Sequence, residues 1–397
     1  MQGIYKISAQ LVERVSLKVI RYLYHQIQWE DRLIGIKGPR GVGKTTIMLQ
    51  YIKQNFSDKR KALYVSLDNI WFSGHTLVEL AEYHYAHGGE YLFLDEVHRY
   101  PNWSIEVKNI YDSYPDMHIV FTGSSLLEID HSISDLSRRC IIYQMQGLSF
   151  REYLNFEGEH FDSTYTIADI VNHHYDMASS ITAQTKVLPK FEKYIHSGYY
   201  PYYKDSAGIT YLAKVQQVVN TIIDYDIPAV TDIEYASLIK AKQLLVILSE
   251  MTPYTLNIQS LCSMMQIGRN QLMRIFDLLN RAGVIRMLYS EDNGLKQLVK
   301  PEKILFGNTN IMCALTENPE NGTTRETFFA NQVSATNKLC MPQQGDFMVD
   351  GKYLFEVGGR KKGYKQIRNI DSSFVVADNI EIGLDNKIPI WLFGFMY

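Results

Sequence analysis

The octapeptide Gly38–Thr45, which reads GPRGVGKT, is the feature that most constrains how this chain can fold. It satisfies the pattern G-x-x-x-x-G-K-[ST] at every position. Glycines let such a loop curl so that its N–H groups point at phosphate oxygens, and the helix behind it presents its positive end to the same anion. The apolar run Arg32–Lys37 predicts a strand before the loop, and Thr45–Asn55 predicts a helix after it. The sequence therefore predicts a strand–loop–helix unit that binds phosphate.

The chemistry of such a loop assigns its residues separate roles. Lys44 is predicted to reach the β and γ phosphates of a nucleotide, and the Thr45 hydroxyl to coordinate Mg²⁺. ATP and Mg²⁺ are therefore the predicted cofactors. The predicted nucleotide-binding residues are Gly38, Pro39, Arg40, Gly41, Val42, Gly43, Lys44, Thr45 and Thr46.

A second predicted strand, Tyr91–Leu94, ends in the adjacent acids Asp95 and Glu96. Adjacent side chains at a strand end can point in different directions. Asp95 is predicted to hold Mg²⁺ through water, and Glu96 to act as the general base toward an attacking water. The alternative is a solvated turn with no catalytic role.

Apolar segments of strand and helix character alternate around these motifs. This alternation predicts an α/β fold with a parallel sheet covered on both faces. The predicted strands are 32–37, 62–67, 91–94 and 118–122, and the predicted helices are 11–28, 45–55, 76–87 and 103–111.

Length and composition limit the classes of protein that need considering. With 397 residues, the chain is expected to form two to four domains. A net charge of -3 does not suggest nucleic-acid binding by the chain as a whole. No apolar run approaches the roughly 20 residues that span a bilayer, and the N-terminus lacks the pattern of a signal peptide. A soluble cytoplasmic protein without membrane contact is the expectation.

The segment from about residue 150 to about 244 predicts helices, which we interpret as a helical lid. Residues 244–288 then predict three helices with a turn at Gly268, a pattern that resembles a winged helix. Its predicted recognition helix offers side chains to DNA, while packing on protein is the alternative. The side chains in question are Arg269, Asn270, Gln271 and Arg274.

The C-terminal residues resemble the PD-(D/E)xK nuclease core. One acid in a predicted helix and two in predicted strands, Glu326, Asp346 and Glu356, follow the order of that core. Active members carry a lysine two residues after the last acid. Gly358 occupies that position, and Lys361 and Lys362 are expected to lie beyond the strand in a turn. A degenerate domain without cleavage activity is therefore predicted.

Four stretches together resemble the prokaryotic AAA+ ATPases that carry a winged helix and a nuclease-like C-terminal domain. They are GPRGVGKTT, LFLDEVHRYPNW, FTGSS and LSRRC...GLSFREYL, in the order and rough spacing of that family. The resemblance implies a polar sensor at Ser124 or Thr122. It also implies that Arg139 aligns with an arginine finger, although Arg138 stands where the family prefers glycine.

The turn Gly198–Pro201 resembles the lid element that places its proline, here Pro201, against the adenine. A turn that only ends a helix is the alternative.

These expectations combine into one architecture. They describe an α/β protein with a P-loop NTPase parallel sheet and helical lid, followed by a winged helix and a small α/β nuclease-like domain. The predicted boundaries are 1–150 for the ATPase core, 151–240 for the lid, 241–292 for the winged helix and 293–397 for the nuclease-like domain.

The expected function is Mg²⁺-dependent ATP hydrolysis that drives a conformational switch in the appended domains. Two alternatives stay open at this point. One is an ATP-regulated nucleic-acid-binding effector or nuclease, and the other is a nucleotide-gated protein scaffold with little hydrolysis. The candidate partners are ATP and ADP, DNA, an unidentified protein and further copies of the chain.

Overall fold

The computed structural model describes residues 1–123, 136, 138–206, 208–250, 257–290, 300–368 and 370–397. The chain divides into two compact units, Met1–Gly147 and Leu148–Tyr397. None of the described helices has the length and apolar character of a membrane-spanning segment.

The first unit is built on a sheet whose five described strands are all parallel, in the order β2-β3-β4-β1-β5. The strands are β1 Leu33–Lys37, β2 Ala62–Ser66, β3 Tyr91–Asp95, β4 His118–Gly123 and β5 Ile141–Gln144. The helices are α1 Gln2–Arg14, α2 Lys44–Asn55, α3 Leu77–Ala86 and α4 Trp103–Ser113. The predicted α/β class with a parallel sheet is therefore confirmed.

The order of these strands brings the functional motifs together. β1 lies between β4 and β5, and β3 lies between β2 and β4. Because parallel strands end at the same edge of a sheet, the loop after β1 and the acids at the end of β3 lie at one edge. Apolar residues of β1, β3 and β4 are buried, as expected for strands covered on both faces.

The predicted N-terminal helix 11–28 is wrong. Helix α1 ends at Arg14, and Val15 is extended. The amide of Gln50 donates to the carbonyls of Ser16 and Val19 at 2.8 and 3.0 Å, so a side chain of α2 binds these carbonyls instead of helical N–H groups. Strand β5 was not predicted, because it has four residues and no fully buried one.

The second unit contains helices followed by a mixed sheet in the order β12-β11-β10-β9-β8. β10, β11 and β12 are parallel, and β8 and β9 are antiparallel to their neighbours. The sheet strands are β8 Leu339–Cys340, β9 Phe347–Val349, β10 Tyr353–Gly358, β11 Ser373–Ala377 and β12 Lys387–Pro389. The helices up to residue 230 are α5 Phe150–Phe156, α6 Ile167–Gln184, α7 Val187–Ser197, α8 Gly208–Thr221 and α9 Ile227–Val230.

Helices α5 to α7 and the C-terminal sheet share one hydrophobic core. Phe150 of α5 and Tyr194 of α7 pack in it with Phe328 and Phe355. The backbone approach is close as well, because a Cβ added at Gly394 would lie 2.4 Å from Cβ of Phe150. The segment predicted as a lid is thus held to the C-terminal part of its own unit by apolar packing.

Three further helices precede a two-stranded antiparallel pairing in the described part of this unit. They are α10 Tyr235–Glu250, α11 Ile258–Met265 and α12 Arg269–Arg281, and the strands are β6 Ile285–Leu288 and β7 Lys303–Phe306. Helices α13 Thr309–Leu315 and α14 Asn321–Val333 then lead into the mixed sheet. The domain boundaries at residues 240 and 292 stay predictions.

Candidate active site

The loop between β1 and α2 requires glycine at several positions. Gly41 and Gly43 have φ of 83° and 103°, in the left-handed region that side chains disfavour. Gly38 is constrained by space, because a Cβ there would lie 2.2 Å from the carbonyl oxygen of Met145. The conformation of this loop therefore depends on glycine, as the predicted phosphate-binding role requires.

Lys44 is the first residue of α2, and its side chain is buried inside the loop. Its ammonium donates hydrogen bonds to the carbonyl oxygens of Gly38 and Pro39 at 2.8 and 2.9 Å. The cation thus lies where the loop and the positive end of α2 face an anion. Val42 is buried, whereas Thr46, two positions after Lys44 in the helix, is exposed.

Asp95, at the end of β3, is buried and accepts four hydrogen bonds. Thr45 Oγ1 and Tyr64 Oη donate to Oδ2 at 2.6 and 2.7 Å, and Thr122 Oγ1 donates to Oδ1. The backbone N–H of Glu96 also donates to Oδ1, at 3.2 Å. These contacts fix the carboxylate beside the Thr45 hydroxyl, so both predicted Mg²⁺ ligands are in contact.

Tyr64 is a residue that the sequence did not single out. Burial, together with the adjacent charge of Asp95, raises the pKa of Tyr64 well above its ordinary value. The phenol therefore remains a proton donor to Asp95 throughout the physiological range. Tyr64 lies on β2, which pairs with β3, and this pairing brings its hydroxyl to Asp95.

Glu96 lies immediately after β3 with φ of 55°, an uncommon value for a residue with a side chain. Its N–H donates to Thr122 Oγ1 at 3.3 Å, which holds the backbone in place. Its Oε2 lies 3.4 Å from Nε2 of His98 and 3.8 Å from Nη2 of Arg40. The carboxylate is about one-fifth exposed, so water has access to it.

Arg21 contacts the loop without belonging to any motif. Its buried guanidinium donates to the carbonyl of Val42 at 2.5 Å and to those of Gln146 and Gly147 at 2.8 and 2.9 Å. It thereby joins the phosphate-binding loop to the last residues of the first unit. No local sequence signal marks it, since its partners are 21, 125 and 126 positions away.

The residues implied by family resemblance have different outcomes. Thr122 contacts Asp95 and Glu96 as described, while Ser124 lies outside the described residues. Arg139 pairs with Asp112 within the first unit, its Nε and Nη2 lying 3.0 and 3.1 Å from the two carboxylate oxygens. The finger role of Arg139 and the sensor role of Ser124 stay predictions.

Pro201 begins a 3-10 helix, Pro201–Asp205, in the second unit. The two tyrosines before it are buried in a polar network. Tyr199 N–H donates to Asn310 Oδ1 at 2.8 Å, and Asn308 Nδ2 donates to the Tyr200 hydroxyl at 3.1 Å. This turn has a structural role in its own unit, and the adenine contact of Pro201 stays a prediction.

The predicted recognition helix is α12, and its candidate side chains Gln271 and Arg274 contact their own unit. Gln271 Nε2 donates to Ser237 Oγ at 2.8 Å, and Arg274 Nη2 donates to the carbonyl of Asp232 at 3.0 Å. These contacts compete with any use of the same groups on DNA.

The three acids of the nuclease-like segment form a cluster with two lysines. Lys303 Nζ lies 2.9 Å from Glu326 Oε2 and 4.0 Å from Asp346 Oδ1. Lys362 pairs with Glu356. Burial raises the pKa of both Glu326 and Glu356. Among the described residues, no group of three or more acid, His or Cys side chains is arranged to hold a metal ion.

Lys362 lies beyond the end of β10, as expected, but its side chain still reaches this cluster. Its side chain folds back over the strand end, so that a Cβ at Gly358 would lie 2.6 Å from Lys362 Cγ. The absence of a side chain at Gly358 is what allows this path. Lys362 therefore reaches Glu356 from outside the strand.

Comparison with known proteins adds two family matches. Residues 30–154 match the family described as "AAA domain", and residues 188–322 match a domain of unknown function. A relative, "Uncharacterized protein MJ1637" of Methanocaldococcus jannaschii, is 26% identical over 311 residues. These residues are 75% of this chain and 64% of the relative, so the chain spans less than two thirds of that protein's length.

Three of the solved structures that are similar to the chain each have a TM-score below 0.5. The Walker-type ATPase PABY2304 of Pyrococcus abyssi has a TM-score of 0.41 at 10% identity, covering 72% of this chain and 91% of that one. The ORC1 protein of Aeropyrum pernix in complex with DNA has a TM-score of 0.33 at 10% identity, with coverages of 78% and 92%. AMPPCP-bound DnaA from Aquifex aeolicus has a TM-score of 0.27 at 12% identity, with coverages of 70% and 88%.

The parallel sheet, the loop geometry and the family match agree. The described part of residues 30–154 has the fold of an AAA-type P-loop ATPase domain.

Proposed function

We propose that the first unit binds ATP together with Mg²⁺ and hydrolyses it. The observation that carries this proposal is the contact between Thr45 Oγ1 and Asp95 Oδ2 at 2.6 Å, beside the buried ammonium of Lys44. Two hard oxygen ligands next to a phosphate-binding loop suit Mg²⁺, which takes few protein ligands and completes its shell with phosphate and water.

Each side chain of the site has a part in this reaction. Thr45 and Asp95 would hold the metal, which when bound supplies neutralisation of phosphate charge. Lys44 would exchange the carbonyls of Gly38 and Pro39 for phosphate oxygens, a stronger, charge-assisted hydrogen bond. Glu96 would accept a proton from the attacking water, and Thr122 would hold its backbone in the conformation that directs the carboxylate.

The second unit is proposed to act as the responding part of a nucleotide-driven switch. Because α5 to α7 share a core with the C-terminal sheet, we expect these helices and the sheet to move as one body. The proposed winged helix, α10 to α12 with β6 and β7, belongs to the same unit. We propose that this segment binds a protein rather than DNA, since Gln271 and Arg274 already contact their own unit.

The acid cluster of the second unit is proposed to be structural. Lys303 and Lys362 supply two positive charges to the carboxylates of Glu326, Asp346 and Glu356. Ammonium groups at these distances compete with a divalent ion for the same oxygens. We therefore propose a nuclease-like domain without cleavage activity.

The ATPase proposal is tested by Mg²⁺-dependent ATP hydrolysis of the wild type, Lys44→Ala and Glu96→Gln, with and without duplex DNA. Lys61→Ala is the control, because Lys61 forms an exposed pair with Glu90 away from the loop. We expect hydrolysis in the wild type and the control only. If none of the four proteins hydrolyses ATP while the wild type still binds it, the nucleotide-gated scaffold would be favoured.

The same preparations test the structural role of the acid cluster. We expect no metal-dependent cleavage of DNA or RNA with Mg²⁺ or Mn²⁺. Cleavage by the wild type that disappears in Glu356→Ala, and persists in Glu90→Ala, would overturn this part of the proposal.

A further inference from the structure

We propose that Arg40 and His98 are positioning residues for the Glu96 carboxylate, and that Arg40 exchanges Glu96 for the γ-phosphate when ATP binds. This inference rests on the proposed ATPase function and extends it. It makes the proposed general base responsive to the nucleotide, because Arg40, which contacts it, belongs to the phosphate-binding loop.

The geometry places Glu96 between two nitrogen donors. Arg40 Nη2 and His98 Nε2 approach the same oxygen, Oε2, at 3.8 and 3.4 Å. The His98 side chain is 1% exposed, whereas those of Arg40 and Glu96 are 26% and 21% exposed. His98 therefore contacts Glu96 from the protein interior, where its position is fixed. Arg40 contacts Glu96 from a partly exposed position, where its side chain can change conformation.

The backbone directs Glu96 into this position. Its φ of 55° lies in the left-handed region, and its N–H is held by Thr122 Oγ1 and Asp95 Oδ1. A residue held in such a conformation depends on its surroundings to maintain it. The position of the carboxylate is thus set by tertiary contacts at the end of β3, and His98 lies in the 3-10 turn Val97–Arg99 that follows.

Arg40 lies within the Gly38–Thr45 loop, next to the proposed phosphate site. A guanidinium binds carboxylate and phosphate with the same fork of donors, and a terminal phosphate carries the greater charge. Bound ATP would therefore compete with Glu96 for Arg40, whereas ADP, which lacks the γ-phosphate, would leave the pair in place. The carboxylate would then retain its contact to His98 and lose its contact to Arg40.

This competition makes opposite predictions for two variants. Arg40→Ala should weaken ATP binding about tenfold and change ADP binding less than about twofold. Glu96→Gln should strengthen ATP binding about fivefold, because a neutral amide holds Arg40 less tightly, and should leave ADP binding unchanged. In the double variant Arg40→Ala/Glu96→Gln the gain should disappear.

His98 is tested through turnover instead of affinity. His98→Ala should lower kcat about tenfold with unchanged ATP affinity, and His98→Gln, which retains a donor, should recover part of the loss. In a Glu96→Gln background, His98→Ala should cause no further loss of the residual single-turnover rate. A merely structural role would lower the rate in both backgrounds.

The chain contains matched controls for both residues. His75 pairs with Glu79 at 3.3 Å on the surface, nearly the distance between His98 and Glu96. Arg60 pairs with Asp58 at 2.9 Å, also on the surface. His75→Ala and Arg60→Ala should leave nucleotide affinity and kcat within about twofold of wild type.

The outcomes separate this inference from the function on which it rests. Equal loss of ATP and ADP affinity in Arg40→Ala, or wild-type turnover in His98→Ala, would overturn the inference while the ATPase stands. A wild type that neither binds nor hydrolyses ATP, or a Lys44→Ala variant as active as wild type, would overturn both.

Discussion

Thr45 donates its hydroxyl hydrogen to Oδ2 of Asp95 over 2.6 Å, joining the first turn of α2 to the end of β3. The two residues are 50 positions apart in the chain. They meet because the ends of parallel strands lie at one edge of the sheet. This contact fixes a buried carboxylate beside a hydroxyl, the pair that we propose holds Mg²⁺.

Asp95→Asn should lower Mg²⁺-dependent ATP hydrolysis about 100-fold or more, because it removes the negative charge of a proposed Mg²⁺ ligand. Metal stabilisation of the transition-state charge is worth several kcal/mol. It should also destabilise the fold, since an amide presents donors toward groups that now donate to Asp95. Steady-state hydrolysis and thermal unfolding would measure the two effects.

Asp58→Asn is the control for Asp95→Asn, because Asp58 is exposed and contacts Arg60. It should leave hydrolysis within about twofold of wild type. Full Mg²⁺-dependent turnover by Asp95→Asn would remove Asp95 from the metal site.

Gly38→Ala should lower the free energy of unfolding of the first unit by at least about 2 kcal/mol, because its Cβ would collide with a backbone oxygen. The nearest atom is the carbonyl oxygen of Met145, at 2.2 Å. Gly74→Ala is the comparison, since no atom lies within 4 Å of its added Cβ. Denaturant titration of both variants would show the difference, and equal midpoints would contradict it.

Part of this site was predictable from sequence because its signals are local. The Gly38–Thr45 loop and the acids at the end of Tyr91–Asp95 combine a strand, a fixed spacing and residue types that the chemistry demands. Their contact follows from the parallel order of the strands. The structure has Lys44 at the start of α2 and Thr45 in contact with Asp95, while the roles of these residues stay predictions.

Other features could not be predicted, because they depend on contacts between distant residues. The helix predicted for 11–28 ends at Arg14, since Gln50 binds the carbonyls of the next residues. Lys362 reaches Glu356 through a turn whose path the sequence does not specify. Neither outcome has a signal in residue periodicity.

Arg21→Met should lower the free energy of unfolding by about 3 kcal/mol or more, because it removes a donor that three carbonyls share, in two buried hydrogen bonds and one partly buried one. It should also weaken ATP binding, since one of these carbonyls is that of Val42 in the phosphate-binding loop. Arg21→Lys should recover part of both losses. Isothermal titration with ATP and thermal unfolding would measure them.

Arg60→Met provides the control for Arg21→Met, because the side chain of Arg60 is 82% exposed. It should change stability by no more than about 0.5 kcal/mol. If Arg21→Met and Arg60→Met were equally stable, the carbonyl contacts of Arg21 would have no net stabilising effect.

Glu326→Gln should change how stability depends on pH. Burial, opposed by Lys303, raises the pKa of Glu326 above the 4.5 of an exposed glutamate. An acid with a raised folded-state pKa stabilises the fold fully below its unfolded-state value, and this contribution is lost as pH rises through the folded-state value. The unfolding free energy of the wild type relative to Glu326→Gln should therefore fall as pH rises from the ordinary glutamate pKa through the raised pKa of folded Glu326.

Lys303→Met sharpens this measurement, because Lys303 lies 2.9 Å from Glu326 and favours its charged form. Removing the ammonium should raise the pKa of Glu326 further and move the loss of stability to higher pH. Urea titrations across the pH range, on the wild type and both variants, would define the two windows. A stability difference between wild type and Glu326→Gln that is constant with pH would show that Glu326 has the same pKa in the folded and unfolded chain. An unchanged pH range of the stability loss in Lys303→Met would show that Lys303 does not affect the pKa of Glu326.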